Sequence, residues 1–81
     1  MNSIDLKISV YPNPVYDFLF IEQTGNKDMY VTIYNTLGKL ILSRQVSGQK
    51  VKLNLETLTS GLYIIHVNQM NSSISKQIIK E

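Results

Sequence analysis

Few side chains in this sequence have the types and the spacing that catalysis or metal binding requires. His66 is the only histidine and there is no cysteine, whereas a metal site normally needs three or more converging ligands. The six acidic residues are scattered along the chain, and no nucleophile elbow or phosphate-binding glycine loop is present. We therefore expect no enzyme, no metal and no cofactor. The remaining catalytic alternative is a hydrolase that pairs His66 with a serine.

The charge and the hydropathy of the chain narrow the classes of partner. The net charge of +2 comes from eight basic and six acidic residues, which is too weak a balance to indicate nucleic acid, whose binding usually needs a clustered basic face. The apolar stretches are far shorter than the roughly 20 residues that a membrane-spanning helix needs. We expect neither nucleic-acid binding nor stable membrane insertion.

The first residues bear on targeting. Met1–Lys7 lacks the apolar region of a signal peptide. Either the chain is cytoplasmic, or it is a piece of a larger protein whose targeting segment lies upstream. We favour the second interpretation and expect residues 1–81 to form a single domain, with residues 1–7 as a leader or linker remnant.

Alternation of apolar and polar residues is common along the chain, and helical periodicity is nearly absent. It predicts seven strands: Ile8–Tyr11, Phe18–Glu22, Met29–Tyr34, Lys39–Gln45, Val51–Leu55, Leu62–Asn68 and Ile74–Lys80. Seven short strands with turn signals roughly every 8–12 residues predict an all-β, seven-stranded, immunoglobulin-like antiparallel β-sandwich. The absence of a Cys–Trp–Cys core excludes a true antibody domain.

Several local features refine this prediction. Thr24–Lys27 has the composition of a hairpin turn. In the turn Asn35–Gly38, the asparagine can bond its own backbone two residues on, and the glycine suits a left-handed conformation. The sixth strand is apolar on both faces, which predicts a central strand that is covered on both sides. The seventh strand alternates lysines, which is typical of a guarded edge.

Two surface features have alternative interpretations. The residues Asn71-Ser72-Ser73 match the glycosylation acceptor pattern, but in a serine-rich turn we expect this match to be accidental. The aromatic residues are ordinary strand residues that pack across a pleated surface. They could also form an exposed platform of the kind that binds sugars, which would consist of Tyr11, Tyr16, Tyr30, Tyr34 and Tyr63 with Phe18 and Phe20 and would contact a polysaccharide through Phe18, Phe20 or Tyr30. In that alternative the chain is an adhesive or carbohydrate-binding module of a cell-surface protein.

Four segments, in order, carry a resemblance to a known family: "VYPNPVYDFLFI", "VTIYNTLGKLIL", "LNLETLTSGLYIIHV" and "SKQIIKE". Together they closely resemble the type A C-terminal sorting domain of the Por, or type IX, secretion system of Bacteroidetes-type bacteria. The resemblance covers nearly the whole chain, from about Ile8 to Lys80. The β-sandwich of that family agrees with the fold that the alternation predicts.

The resemblance implies a non-catalytic sorting signal at the end of a larger secreted cargo protein. Such a domain is recognised by the outer-membrane translocon, crosses the periplasm in transit, and is typically cleaved off by a sortase-like protease, leaving the cargo at the cell surface or in the medium. The family's motif positions fall on Pro12, Asn13 and Pro14; on Tyr34, Gly38 and Lys39; on Gly61, Leu62 and Tyr63; and on Lys76 and Lys80. The chain ends in Glu81, where many members end in a basic residue.

The same positions have structural roles that the residue types predict. Pro12 and Pro14 limit φ, so they end one strand and stiffen the start of the next, and Asn13 can cap that corner by a local bond. We expect Gly38 and Gly61 to meet a backbone requirement first. A lysine on an edge strand is usually a solvated charge that guards the edge, although such an edge is also where a partner strand could add.

Overall fold

The structure, a computed structural model, describes residues 7–70 and 72–81. Seven strands account for most of these residues, and their bounds are β1 Ile8–Tyr11, β2 Phe18–Gln23, β3 Met29–Asn35, β4 Leu40–Val46, β5 Lys50–Asn54, β6 Gly61–Asn68 and β7 Ser73–Lys80. Each strand lies where the alternation predicts it, and the ends differ by at most one residue. The described residues include no helix that is long and apolar enough to cross a membrane.

The strands form two antiparallel sheets that pack face to face. One sheet has three strands in the order β1-β2-β5, and the other has four in the order β4-β3-β6-β7. The predicted antiparallel β-sandwich is therefore confirmed. Residues 1–6 and Asn71 lie outside the described residues, so the expectations of a leader over residues 1–7 and of a glycosylation acceptor at Asn71 fall largely or wholly on positions that are not described.

The core lies between the sheets and consists of the side chains that alternation directs inward. On β3, Met29, Val31 and Ile33 are fully buried, and the intervening residues face outward. The other members of the core cluster are Val10, Val15, Leu19, Ile21, Leu53, Leu55, Tyr63, Ile65, Val67 and Ile78. Leu58, in the turn before β6, packs against this cluster. Burying apolar area at roughly 25 cal/mol per Å² is the main force that holds the two sheets together.

The prediction of a hairpin at Thr24–Lys27 is wrong. The segment joins β2 in the three-stranded sheet to β3 in the four-stranded sheet. The buried Gln23 side chain fixes this crossing, because its Nε2 donates to the carbonyl oxygens of Lys27 (2.7 Å) and Gly48 (2.8 Å). Turn composition specifies a reversal of the chain, but not the sheet in which the next strand pairs.

The prediction that β6 is covered on both faces is also wrong. The strand is central, between β3 and β7, but Leu62 and Ile64 are 40% and 37% exposed. A two-layer sandwich covers only one face of each sheet. The apolar residues on the outer face of β6 therefore contact solvent. The expectation that β7 is an edge strand is confirmed.

Candidate recognition site

The Pro-Asn-Pro corner lies between β1 and β2 and docks on β7. Pro12, Asn13 and Pro14 are exposed, and β1 ends at the residue before Pro12. The Asn13 Nδ2 donates to the carbonyl oxygen of Gln77 (3.1 Å), and its Oδ1 accepts from the Ile79 N–H (2.9 Å). The expected local cap is therefore wrong, because the asparagine bonds a strand that lies more than sixty residues away in sequence.

Val15 continues this contact with its backbone. Its N–H donates to the Ile79 carbonyl oxygen (2.8 Å), and its carbonyl oxygen accepts from the Glu81 N–H (2.8 Å). This is a short parallel bridge along the outer side of β7, centred on Val15 and Lys80. The Val15 side chain is fully buried in the core. The segment Asn13–Val15 thus acts as a cover for the C-terminal half of the β7 edge.

The turn Asn35–Lys39 joins β3 to β4. The Asn35 Oδ1 accepts from the N–H groups of Leu37 (2.9 Å) and Lys39 (3.0 Å), and the Gly38 N–H donates to the Asn35 carbonyl oxygen (3.0 Å). Gly38 has a φ of 83°, which favours glycine because a Cβ is strained there. Both structural predictions for this turn are confirmed. Tyr34, just before it, is half-buried on the outer face of β3.

The Gly61-Leu62-Tyr63 element opens β6 and directs its side chains to opposite faces. Gly61 has a φ of 154°, and Leu62 points outward. Tyr63 points into the core, and its hydroxyl donates to the Thr59 carbonyl oxygen (2.8 Å) and lies 3.1 Å from the Thr59 Oγ1. The tyrosine therefore holds the preceding turn against the sandwich while its ring fills the core.

These elements converge on one end of the four-stranded sheet. Gly61 pairs with Lys80 and Tyr63 with Asn35, so the start of β6, the end of β3 and the end of β7 lie together. The Asn13 contacts with β7 add the Pro-Asn-Pro corner to the same place. We call this region the motif end; it consists of Pro12–Pro14, Tyr34, Gly38, Lys39, Gly61–Tyr63 and Lys80. Lys76 lies apart from it, in the middle of β7 opposite Ile65.

The two lysines of β7 differ from each other. Lys76 is exposed, as expected of a charge that guards an edge. Lys80 is only 7% exposed, and its Nζ donates to the Glu81 carbonyl oxygen (3.1 Å). The expectation of a solvated charge at Lys80 is therefore wrong. The cause is the Asn13–Val15 segment, which pairs alongside Lys80 and reduces its access to water.

Sequence reasoning missed Val15 and Thr59 as parts of this site. Val15 is a lone aliphatic residue between turns, and its pairing partner is far away in the sequence. Thr59 acts through its backbone carbonyl, which any residue type supplies. The one available signal was the apolar side chain of Val15 directly after the rigid corner.

The structure brings His66 next to a serine, as the hydrolase alternative requires, but in the part of the chain that it describes it supplies no acidic residue to complete a catalytic triad. The Ser75 Oγ lies 2.5 Å from the His66 Nδ1, across the pair β6 and β7. A triad also needs an acid on the far side of the histidine, and no described residue of β3, β4, β6 or β7 is Asp or Glu. Within residues 7–70 and 72–81, no three His, Cys, Asp or Glu side chains come together as a metal site.

The aromatic residues are divided between the two outer faces and the core. Tyr11 and Phe20 stack with their ring centroids 5.7 Å apart, whereas Tyr63 is buried. Phe18 and Phe20 lie on the outer face of the three-stranded sheet, where the ammonium groups of Lys52 and Lys50 sit 4.0 Å and 4.9 Å from their ring centroids. Tyr30 lies on the outer face of the other sheet. Phe18 and Phe20 therefore face away from Tyr30, and the seven aromatic residues do not share one sugar-stacking surface.

The strand order and the packing define an immunoglobulin-like β-sandwich whose motif positions meet at one end. The model of the family described as "Secretion system C-terminal sorting domain" matches residues 9–81, and the chain belongs to this family. Domains of this family are the C-terminal sorting signals of type IX secretion, which implies export to the cell surface or secretion. No curated protein matches the sequence significantly.

Two solved structures from Porphyromonas gingivalis are similar in fold. One is PorZ, an essential surface component of the type IX secretion system, with 24% identity and a TM-score of 0.72 over 91% of this chain. The other is latent dimeric PorU, with 21% identity and a TM-score of 0.63 over 93% of this chain. The chain spans only 11% and 9% of those proteins, so these likenesses bear on the fold alone.

Proposed function

We propose that this domain acts without catalytic activity, as a signal at the C-terminal end of a larger cargo protein that the outer-membrane translocon of the type IX system recognises. The cargo passes through the periplasm, and a sortase-like protease then removes the domain. The observation that carries this proposal is the family match over residues 9–81, and the gathering of the family's motif positions at the motif end supports it.

The motif end has features that suit recognition of a folded signal. Its exposed residues, among them Asn13, Lys39 and Leu62, are held by backbone pairing and by fixed side-chain bonds. A surface whose geometry is set before binding loses less conformational entropy when a partner docks. Ten of the eleven predicted motif residues lie at the motif end, eight of them on its surface and Tyr63 and Lys80 buried beneath it, and Lys76 is the exception.

A reporter export assay tests the proposal. A fluorescent protein is fused between a signal peptide and residues 1–81, and it is expressed in a type IX-competent bacterium and in the same strain without the translocon. We expect fluorescence at the surface or in the medium only in the competent strain. A reporter that lacks residues 1–81 should stay in the periplasm of both strains. Equal export from the two strains would overturn the proposal.

The proposed cleavage has its own readout. Mass spectrometry of the exported reporter should find a new C-terminus upstream of the β-sandwich, and a strain without the sortase-like protease should yield the uncleaved fusion. Point variants are better probes here than removal of β7, because that strand carries the contacts of Asn13, Val15 and Gly61. Removal of β7 would unfold the domain, so a loss of export could not be assigned to lost recognition rather than to lost folding.

A further inference from the structure

The outer face of the four-stranded sheet carries no formal charge. The strand register and the alternation place three residues from β3, three from β4 and four each from β6 and β7 on this face: Tyr30, Thr32, Tyr34, Leu40, Ser43, Gln45, Leu62, Ile64, His66, Asn68, Ser73, Ser75, Gln77 and Ile79. None of them is Lys, Arg, Asp or Glu, although these make up 17% of the chain. We call this surface the neutral face.

The outer face of the three-stranded sheet has the opposite character. Glu22 pairs with Lys50, and Lys52 pairs with Phe20 on the neighbouring strand. The two lysines cover the aromatic rings of that face. Charged residues are therefore absent from only one of the two outer faces. Because the other outer face carries them, the composition of the chain does not account for the neutral face.

The neutral face also exposes apolar side chains at the motif end. Leu40, Leu62, Ile64 and Ile79 are between 37% and 50% exposed. Ile79 is the residue whose backbone binds Asn13 and Val15, so this apolar patch is continuous with the Pro-Asn-Pro corner. At the other end of β3, Tyr30 is 56% exposed. Depletion of charge with exposed aromatic and apolar residues is the composition of a protein interface core.

The size of the neutral face limits the kind of partner. Four strands about 4.8 Å apart and about 25 Å long present roughly 500 Å². Two copies packed through this face would bury about 1,000 Å² in total, which is below the 2,000 Å² or more of obligate homodimers and in the range of transient complexes. A second copy of the chain is therefore the weaker candidate. A signal that is read once and then released needs a transient contact.

We propose that the neutral face is the surface through which the export machinery reads this domain, and that its partner is a protein surface that is likewise uncharged and rich in aliphatic and aromatic groups. This inference rests on the proposed sorting function and names the surface that performs it. Because the contact excludes charge, a new charge of either sign on the neutral face should weaken it. A contact based on charge complementarity would instead lose affinity for one sign only.

The test uses the reporter fusion with two variants of opposite charge on the neutral face, Ile64→Lys and Ser43→Glu. The matched controls are Asn54→Lys and Lys52→Glu, on the exposed outer face of the three-stranded sheet. We expect export to fall at least tenfold for both variants and to stay within twofold for both controls. Circular dichroism and thermal unfolding of the isolated chain verify that each variant folds, and Ser75→Lys replaces Ile64→Lys if that variant does not.

Each outcome has a separate meaning. If the wild-type fusion is not exported by the machinery, the proposed function fails. If it is exported and the folded neutral-face variants are exported equally well, only the present inference fails. Loss for one sign of charge alone would overturn the uncharged partner. Sedimentation velocity of the isolated chain tests for a dimer. A dimer that Ile64→Lys dissociates would show that the neutral face binds a second copy of the chain, which would overturn the inference that it binds the export machinery.

Discussion

The two edges of the four-stranded sheet are protected in different ways. The β7 edge is covered along its C-terminal half by Asn13 and Val15, which satisfy the outward backbone groups of Ile79 and Glu81. Within residues 7–70 and 72–81, no backbone group pairs with the outer side of β4. An unpaired edge is a template for pairing with another chain, so β4 needs a different device.

That device is charge on the core-facing side of an edge strand. Arg44 on β4 lies opposite the buried Val31, and Lys76 on β7 lies opposite the buried Ile65. An added strand would place an apolar neighbour against each of these charges, which disfavours the pairing. The register shift between Ile33 and Tyr34 also distorts the ladder where β4 begins.

The comparison shows that the C-terminal half of the β7 edge is covered by a motif of the family, whereas the rest of β7 and the whole of β4 depend on general sheet chemistry. The Pro-Asn-Pro corner therefore stabilises the fold at the same positions where it belongs to the motif end. An export defect in a corner variant has two possible causes, loss of folding and loss of recognition. The following predictions separate the two edges by stability and by association.

The largest expected effect is at Val15, which fills the core beneath the covered edge. Val15→Ala removes two buried methyl groups, which we expect to lower the free energy of unfolding by about 2–3 kcal/mol. The control is Val46→Ala at the end of β4, where the side chain is only half-buried, and where we expect a smaller loss. Urea unfolding followed by circular dichroism measures both. Equal losses would show that the Val15 side chain contributes no more to the core than a half-buried side chain at the open edge.

The second effect is at Asn13, which contacts β7 through its side chain alone. Asn13→Ala removes two hydrogen bonds, and at about 0.5–1.5 kcal/mol each we expect a loss of about 1–2 kcal/mol. Hydrogen exchange at the Ile79 amide should accelerate beyond the change at amides of β3. Asn26→Ala, at an exposed position in the segment between β2 and β3, serves as the control and should be near neutral. An unchanged Ile79 exchange rate would argue against the contact.

The corner and the Asn35–Lys39 turn also show how far the sequence predicts this molecule. The turn was predictable because its partners lie within four residues, and the strands were predictable because alternation has a period of two. The bonds of Asn13 were not predictable, since they span 64 and 66 residues. The burial of Lys80 has the same cause. The sheet that receives β3 depends on packing between the sheets, which local turn chemistry does not encode.

The motif residues were predictable in identity but not in arrangement. The resemblance placed Pro12, Tyr34 and Gly61 far apart in the sequence, and only the register of β3, β6 and β7 brings their regions together. The neutral face has no local signal of its own. It arises because charged residues are missing from one phase of alternation in four different strands, which becomes visible only when the strands are paired.

A smaller effect is expected at Gly38, in the turn that leads into the open edge β4. Gly38→Ala forces a side chain into a left-handed conformation and should lower the free energy of unfolding by about 1 kcal/mol. Nothing lies within 4 Å of the added Cβ, so the cost comes from the backbone alone. Gly25→Ala is the control, because Gly25 does not have a positive φ. A near-neutral result at Gly38 would mean that the turn relaxes to another conformation.

The smallest effect on stability, and the most direct test of the comparison, comes from the edge charges. We expect Arg44→Val and Lys76→Val each to change the free energy of unfolding by about 0.5 kcal/mol or less. Self-association should increase more for Arg44→Val, because the whole outer side of β4 is then open, whereas the cover at Asn13 and Val15 blocks half of β7. Sedimentation velocity over a range of protein concentrations measures this difference. If Lys76→Val associates as strongly as Arg44→Val, the Asn13–Val15 segment does not protect its edge, and the β7 edge must be accounted for by charge alone.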